Sequence, residues 1–136
     1  MEFHPRSPDE CAGLLVFGYD YAWIGLKSGV DGAALVLAQR RDAAQDAPQE
    51  EQFILPCGPG PVWLRLTVHP GGHYRFSFSH DGENFQETGR DFTANCGHWV
   101  GAKVGLFASG PSGTASRGQA DFHWFRVEPA GTGPVR

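Results

Sequence analysis

Residues 99–128 read WVGAKVGLFASGPSGTASRGQADFHWFRVE, and this stretch decides the fold. Two strand-like runs, Val100 to Ala108 and Gln119 to Glu128, flank a loop rich in Gly, Ser and Pro. Branched and aromatic side chains favour extended backbone, whereas Gly and Pro favour the reversal between the runs. Val104, Leu106, Phe122 and Phe125 are the expected core positions, beside glycines that leave no side chain on the other face. Such a pair reads as the closing strands of a curved β-sandwich, an architecture shared by many lectins. The stretch holds no paired carboxylates, nucleophile triad or phosphate cradle. It reads as part of a module rather than of a complete enzyme.

Outward from that pair, period-two alternation recurs and helical periodicity is almost absent. From Tyr21 to Lys27, residues Ala22, Ile24 and Leu26 share one face, and Tyr21, Trp23, Gly25 and Lys27 the other. The turn 29–32 leads into a similar run from Ala33 to Gln39. Leu64, Leu66 and Val68 point inward in the next run, followed by Tyr74, Phe76 and Phe78 after the Pro70-Gly71-Gly72 turn. Ala12 to Phe17 is continuously apolar and is expected to be buried on both faces. Residues 40–52, RRDAAQDAPQEEQ, are interrupted by Pro48 and predict a solvated hairpin loop rather than a helix. The PCGPGP run from Pro56 to Pro61 predicts a turn or bulge. About seven or eight strands result, so the expected fold is all-β, an antiparallel jelly-roll sandwich.

Composition narrows the function classes. A chain of 136 residues predicts one domain, here 1–128, with 129–136 as a frayed tail. The net charge is −4 and the basic residues form no stripe, which argues against nucleic acid. The apolar runs near Leu14 to Phe17 and Leu35 to Ala38 are too short to span a bilayer. The start, MEFHPRSPDE, has no apolar segment of a secretory signal, and a cytoplasmic location is expected. Cys11, Cys57 and Cys96 are scattered and show neither a disulfide framework nor zinc spacing.

Candidate binding residues come from the aromatic and basic side chains. Tyr19, Tyr21 and Trp23 share one parity. Sugar rings present apolar C–H faces that stack on aromatic rings, while charged side chains bind the hydroxyls. Tyr21 and Trp23 beside Arg65, Arg75 and Lys103 would form a concave carbohydrate platform; the alternative is a core or a subunit contact. No histidine shows metal-ligand spacing, and His69, His73, His80 and His98 sit near turns. His123 instead alternates with Asp121 inside a run. Asp121 is the candidate ligand for a structural calcium, although calcium needs several oxygens and the segment supplies one carboxylate. No catalytic residue can be picked out.

Four blocks now stand in order: AGLLVFGYDYAWIGLK (12–27), YRFSFSHDGENF (74–85), WVGAKVGLFAS (99–109) and ADFHWFRVE (120–128). Together they resemble the C-terminal concanavalin A-like domain of glycoside hydrolase family 43 β-xylosidases, from Phe3 to Glu128. His123 stands where that family's ending, ADFDWFRV, has aspartate. The resemblance implies a non-catalytic accessory sandwich packed on a five-bladed propeller that carries the catalytic acids. Such enzymes release xylose or arabinose from plant polysaccharides. Implied partners are xylan-type carbohydrate or a family 43 catalytic domain; the alternatives are a free-standing lectin-like binder and a purely structural interaction domain. The family domain has further strands ahead of the block matching Phe3. Their lack would leave an unpaired edge or an uncovered apolar face, so homo-oligomer formation or docking to another chain is expected.

Overall fold

The computed structural model of the chain describes residues 1–95, 101–113, 115 and 117–130. Its strands in chain order are β1 (Glu2–His4), β2 (Cys11–Phe17), β3 (Tyr21–Gly29), β4 (Gly32–Arg40), β5 (Glu50–Cys57), β6 (Trp63–His69), β7 (His73–Ser79), β8 (Gln86–Thr93), β9 (Lys103–Ser109) and β10 (Gln119–Asp121). A single 3-10 turn, Ala43–Gln45, is the one helical element among the described residues. Five strands form a sheet in the order β5-β4-β3-β2-β9, three form a second in the order β6-β7-β8, and β1 pairs with β10. Every pairing is antiparallel. The alternating pattern therefore folds as the expected all-β sandwich.

Strand parity places the core. The row Leu106–Leu14–Ile24–Leu37 crosses four strands of the large sheet on its inner face. Val16, Ala22, Leu26 and Leu35 share that face and pack with Tyr74, Phe76 and Phe78 of β7 and Phe92 of β8. Burying each large apolar side chain contributes roughly 1.5–3 kcal/mol, so this interface dominates stability. A slip of one residue would turn the whole row to the outside, which fixes the register.

Gly13 and Gly25 face each other where β2 crosses β3. A Cβ on Gly13 would come 2.6 Å from the Cα of Gly25 and overlap the Ile24 carbonyl. Both positions need glycine because the backbones approach too closely for any side chain. A second constraint is the buried carboxylate of Glu10. Oε2 accepts the backbone N–H groups of Arg6 at 2.6 Å and Ser7 at 3.2 Å, and Oε1 accepts that of Gly118 at 3.1 Å. These bonds tie the loop before β2 to the residue that leads into β10, so one side chain positions the β1–β10 pair.

Several expectations change. Trp99, Cys96 and His98 lie outside the described residues, and the first closing run is strand only from Lys103. Val104 and Leu106 do point inward, opposite Val16 and Leu14, yet they remain 39% and 41% exposed. The cause is unequal width. β6 packs on β2, and β8 meets β4 and β5 through the Gln39–Asp91 and Arg90–Glu50 contacts, so β9 lies beyond the small sheet. The second closing run is shorter than expected: β10 stops at Asp121, where β1 offers no further partner, and Phe125 is 47% exposed rather than core. Phe17 at the end of β2 is also exposed, so that strand is not buried on both faces throughout. Between β4 and β5, Arg40 Nε donates to the Ala47 carbonyl at 2.7 Å and Nη2 to Asp46 at 3.1 Å, closing the expected hairpin.

Gly25→Ala is expected to lower the unfolding free energy by about 1–3 kcal/mol or more, the usual range for overpacking. Gly58→Ala, where an added Cβ meets open space, is expected to stay within about 0.5 kcal/mol of the parent. Urea titrations of the three proteins check both outcomes.

Candidate functional site

The outer face of the large sheet is built in rows across β4, β3, β2 and β9. One row is Arg40–Tyr21–Phe17–Lys103, the next Ala38–Trp23–Leu15–Gly105, then Val36–Gly25–Gly13–Phe107, and last Ala34–Lys27–Cys11–Ser109. The two glycines give the third row no side chain in its middle, and Phe107 stands at its β9 end. Its ring centroid lies 5.1 Å from that of Trp23 with the planes tilted by 60°, a favourable aromatic geometry. The result is an open groove of about 500 Å³ with Leu15, Phe17, Tyr21, Trp23 and Phe107 along its floor and sides.

A polar chain follows the β5 side of this groove. Tyr21 donates its hydroxyl to Gln49 Oε1 at 2.7 Å, and Gln49 Nε2 donates to Glu51 Oε1 at 2.9 Å. Lys27 Nζ lies 2.9 Å from both Glu51 carboxylate oxygens and 3.8 Å from Asp9. Partial burial pulls the Lys27 ammonium down, but the hydrogen bond and charge of Glu51, helped by Asp9, outweigh it and raise its pKa. Lys27 is therefore a fixed cation. Burial pushes the neighbouring Cys11 thiol up; the Lys27 charge opposes this and Glu51 and Asp9 reinforce it. The thiol is kept protonated rather than nucleophilic.

The five residues read as one platform are not brought together. Tyr21 and Trp23 line the groove, and Lys103 shares their face at the end of the Phe17 row, outside the lining. Trp23 is only 5% exposed, too little to offer a stacking face to a ligand. Arg65 and Arg75 project from the outer face of the other sheet, because Leu64, Tyr74 and Phe76 occupy its inner face. Arg65 stacks over Phe85 with 3.5 Å to the ring centroid. Arg75 pairs with Asp91 at 3.1 Å and Glu87 at 3.6 Å, and its pKa is raised chiefly by Asp91. Phe107 and Lys27 were legible by parity, since they alternate with Lys103 and Trp23 respectively. Gln49 and Glu51 depend on the length of a loop whose course alternation does not specify.

The turn block SHDGENF is a self-contained structural device. Asp81 Oδ1 accepts the backbone N–H groups of Glu83 and Asn84, each at 2.8 Å, and the Ser79 hydroxyl at 2.7 Å. Oδ2 accepts the Asn84 side chain at 2.7 Å, and Gly82, with φ of 80°, sits against the Trp63 ring. Hydrogen bonds from Asn84 first, then Glu83 and Ser79, hold the Asp81 carboxyl well below the usual carboxylate range. Elsewhere, Asp121 lies 3.4 Å from His4, and His123 lies 2.8 Å from Glu2. Among the described residues no group of three or more His, Cys, Asp or Glu side chains that could hold a metal ion gathers at Asp121.

An antiparallel sandwich, a Ser-x-Asp-Gly turn and the closing β9–β10 segments in this order define a recognisable whole. The family model of the beta-xylosidase C-terminal concanavalin A-like domain matches residues 1–128. The chain belongs to this family. A comparison with curated proteins returned no match. Family membership makes this chain an accessory β-sandwich domain, and the large sheet carrying the groove is part of that sandwich.

The Asp81 turn gives a pH prediction with a definite sign. Its folded pKa is depressed, so its contribution is complete above the unfolded value of about 3.9 and is lost as pH falls below it. Asp81→Asn should melt lower than the parent at pH 6, and the difference between the two melting temperatures should shrink steadily below about pH 4. Parallel thermal melts measure this gap.

Proposed function

We propose that this accessory domain supports the binding of xylan-type carbohydrate through the outer-face groove, in the service of a family 43 catalytic domain. One observation carries the reading: an open groove with an aromatic wall runs beside a connected line of hydrogen-bonding side chains. Apolar sugar faces pack on Tyr21 and Phe107, and the Gln49–Glu51–Lys27 chain supplies donors and acceptors for hydroxyls. An open cleft of this kind admits the middle of a polysaccharide chain, whereas a closed pocket would admit only an end. Hydrolysis does not fit this groove. Glycoside cleavage needs a carboxyl held protonated opposite a second carboxylate, whereas Asp9 and Glu51 both lie on the fixed Lys27 cation.

A second reading is favoured by Phe53, which is 63% exposed on the same outer face beside Val36. An exposed aromatic at the β5 margin suits a contact with a catalytic domain, and the groove would then lie near that contact. Phe53→Ser is expected to weaken association with a family 43 propeller domain while leaving oligosaccharide titrations unchanged.

Xylohexaose titrated into the protein by calorimetry tests the leading reading. Tyr21→Ala and Phe107→Ala are each expected to weaken binding about tenfold, equivalent to about 1.4 kcal/mol. Arg75→Ala, on the opposite face, should bind as the parent does. The reading fails if the parent protein gives no binding heat and no chemical-shift change at the groove residues.

A further inference from the structure

Hydrogen-bond direction along the polar side of the groove is uneven. Tyr21 donates its hydroxyl proton to Gln49, Gln49 donates to Glu51, and Lys27 donates to both oxygens of the same carboxylate. Asp9 stands 3.8 Å from the Lys27 ammonium on its other side. The donors are thus engaged within the chain, and an ionised carboxylate can only accept. What is left for a ligand is mainly acceptor capacity, on the Tyr21 oxygen and the Asp9 and Glu51 carboxylates. The second N–H of Gln49 is the one donor of the chain left over beside them.

Charge is uneven in the same place. Two carboxylates meet one ammonium, so the Lys27 end of the groove keeps one uncompensated negative charge. Lys27 is the inner partner, its side chain 25% exposed, whereas that of Asp9 is 69% exposed and meets a ligand first. Among the described residues Lys27 is the only cation lining the groove. Arg40 and Lys103 belong to the Tyr21 row, six residues along β3 from Lys27, or about 20 Å at the usual strand rise. Arg40 is moreover held by Asp46 and the Ala47 carbonyl. The field at the Lys27 end is therefore set by Asp9, Glu51 and Lys27 themselves.

We infer that the groove selects uncharged stretches of xylan with free hydroxyls and rejects stretches that carry a uronic acid branch, with Asp9 as the residue that sets this choice; the inference rests on the carbohydrate function proposed above. Sugar hydroxyls can donate to the acceptors that the polar chain leaves over. A uronate brings a carboxylate without a proton to donate, and its charge meets one of the same sign. Lys27 offers it no counter-charge, because the ammonium is already held between Glu51 and Asp9. Asp9 itself is fixed at the groove: its backbone takes a φ of 65°, and its N–H donates to the Ser28 carbonyl at 2.9 Å. Removing the Asp9 charge leaves Lys27 and Glu51 balanced. Asparagine is among the few residues that adopt this left-handed backbone readily, so Asp9→Asn changes the charge and keeps the fold.

The experiment titrates the full chain with xylotetraose and with xylotetraose bearing one glucuronosyl branch, and takes the ratio of the two Kd values. At an ionic strength of about 0.01 M, where charges act over about 30 Å, the acidic ligand is expected to bind about fivefold more weakly. At about 1 M, where that reach falls to about 3 Å, the ratio should close to within about twofold. Asp9→Asn should close it at low salt, and Lys27→Gln, which leaves both carboxylates uncompensated, should widen it. Glu87→Gln removes the same charge from the opposite face and should keep the parent ratio. Equal affinities in the parent at low salt, a preference for the acidic ligand, a ratio indifferent to salt, or one that Asp9→Asn leaves in place overturns the inference while carbohydrate binding stands. Absence of binding by either oligosaccharide overturns the carbohydrate function and the inference with it.

Discussion

Packing of β7 onto the inner face of the large sheet is the interaction on which the rest depends. Phe76, Phe78 and Tyr74 press against the Leu14–Ile24–Leu37 row and its neighbours. That contact fixes the parity of β2, β3 and β4, and parity then decides which side chains reach the outer face. The groove is thus a by-product of the core: Tyr21, Trp23 and Lys27 face outward because Ala22, Ile24 and Leu26 must face inward. The close approach of Gly13 and Gly25 follows on the same strands, and with no side chain at either position Phe107 is the one aromatic of that row.

Unequal sheet width has a separate consequence. Three strands cover the middle of a five-stranded sheet, and β9 is left beyond the margin. The β1–β10 pair sits there instead, held through Glu10 and the Met1–Val62 rung. Glu10 succeeds as a buried carboxylate because several N–H donors converge on it, which offsets the loss of water. The same margin carries both the exposed inward-facing Val104 and Leu106 and the unpaired end of the β10 segment. Sheet geometry relates these features, which the sequence keeps far apart.

Polar side chains divide by function in a way that motif reading blurred. Arg65 and Arg75 look like ligands for hydroxyl groups, yet each is engaged on the small sheet, one on the Phe85 ring and one by Asp91 and Glu87. The oxygens of Asp81 are likewise occupied, in folding the turn back on itself. The sequence places Lys27 on the outer face by parity but does not show what pairs with it. Its partner Glu51 arrives from across the β4 hairpin.

Alternation in β3, β6 and β7 was enough to determine the all-β class, most of the inward set and the turn at Gly71-Gly72, although Val68, read as inward, is 51% exposed. These are local properties: side-chain period and turn chemistry act over a few residues. Four ordered blocks were likewise enough to indicate the family. Tertiary structure alone decided that Tyr21 and Trp23 stand apart from Arg65 and Arg75, because sheet membership depends on which strands pair. It also decided that Leu106 is uncovered and that Phe122 to Glu128 is not strand. A strand needs a neighbour for its hydrogen bonds and an opposing layer for its apolar face, and neither can be read from the strand's own residues.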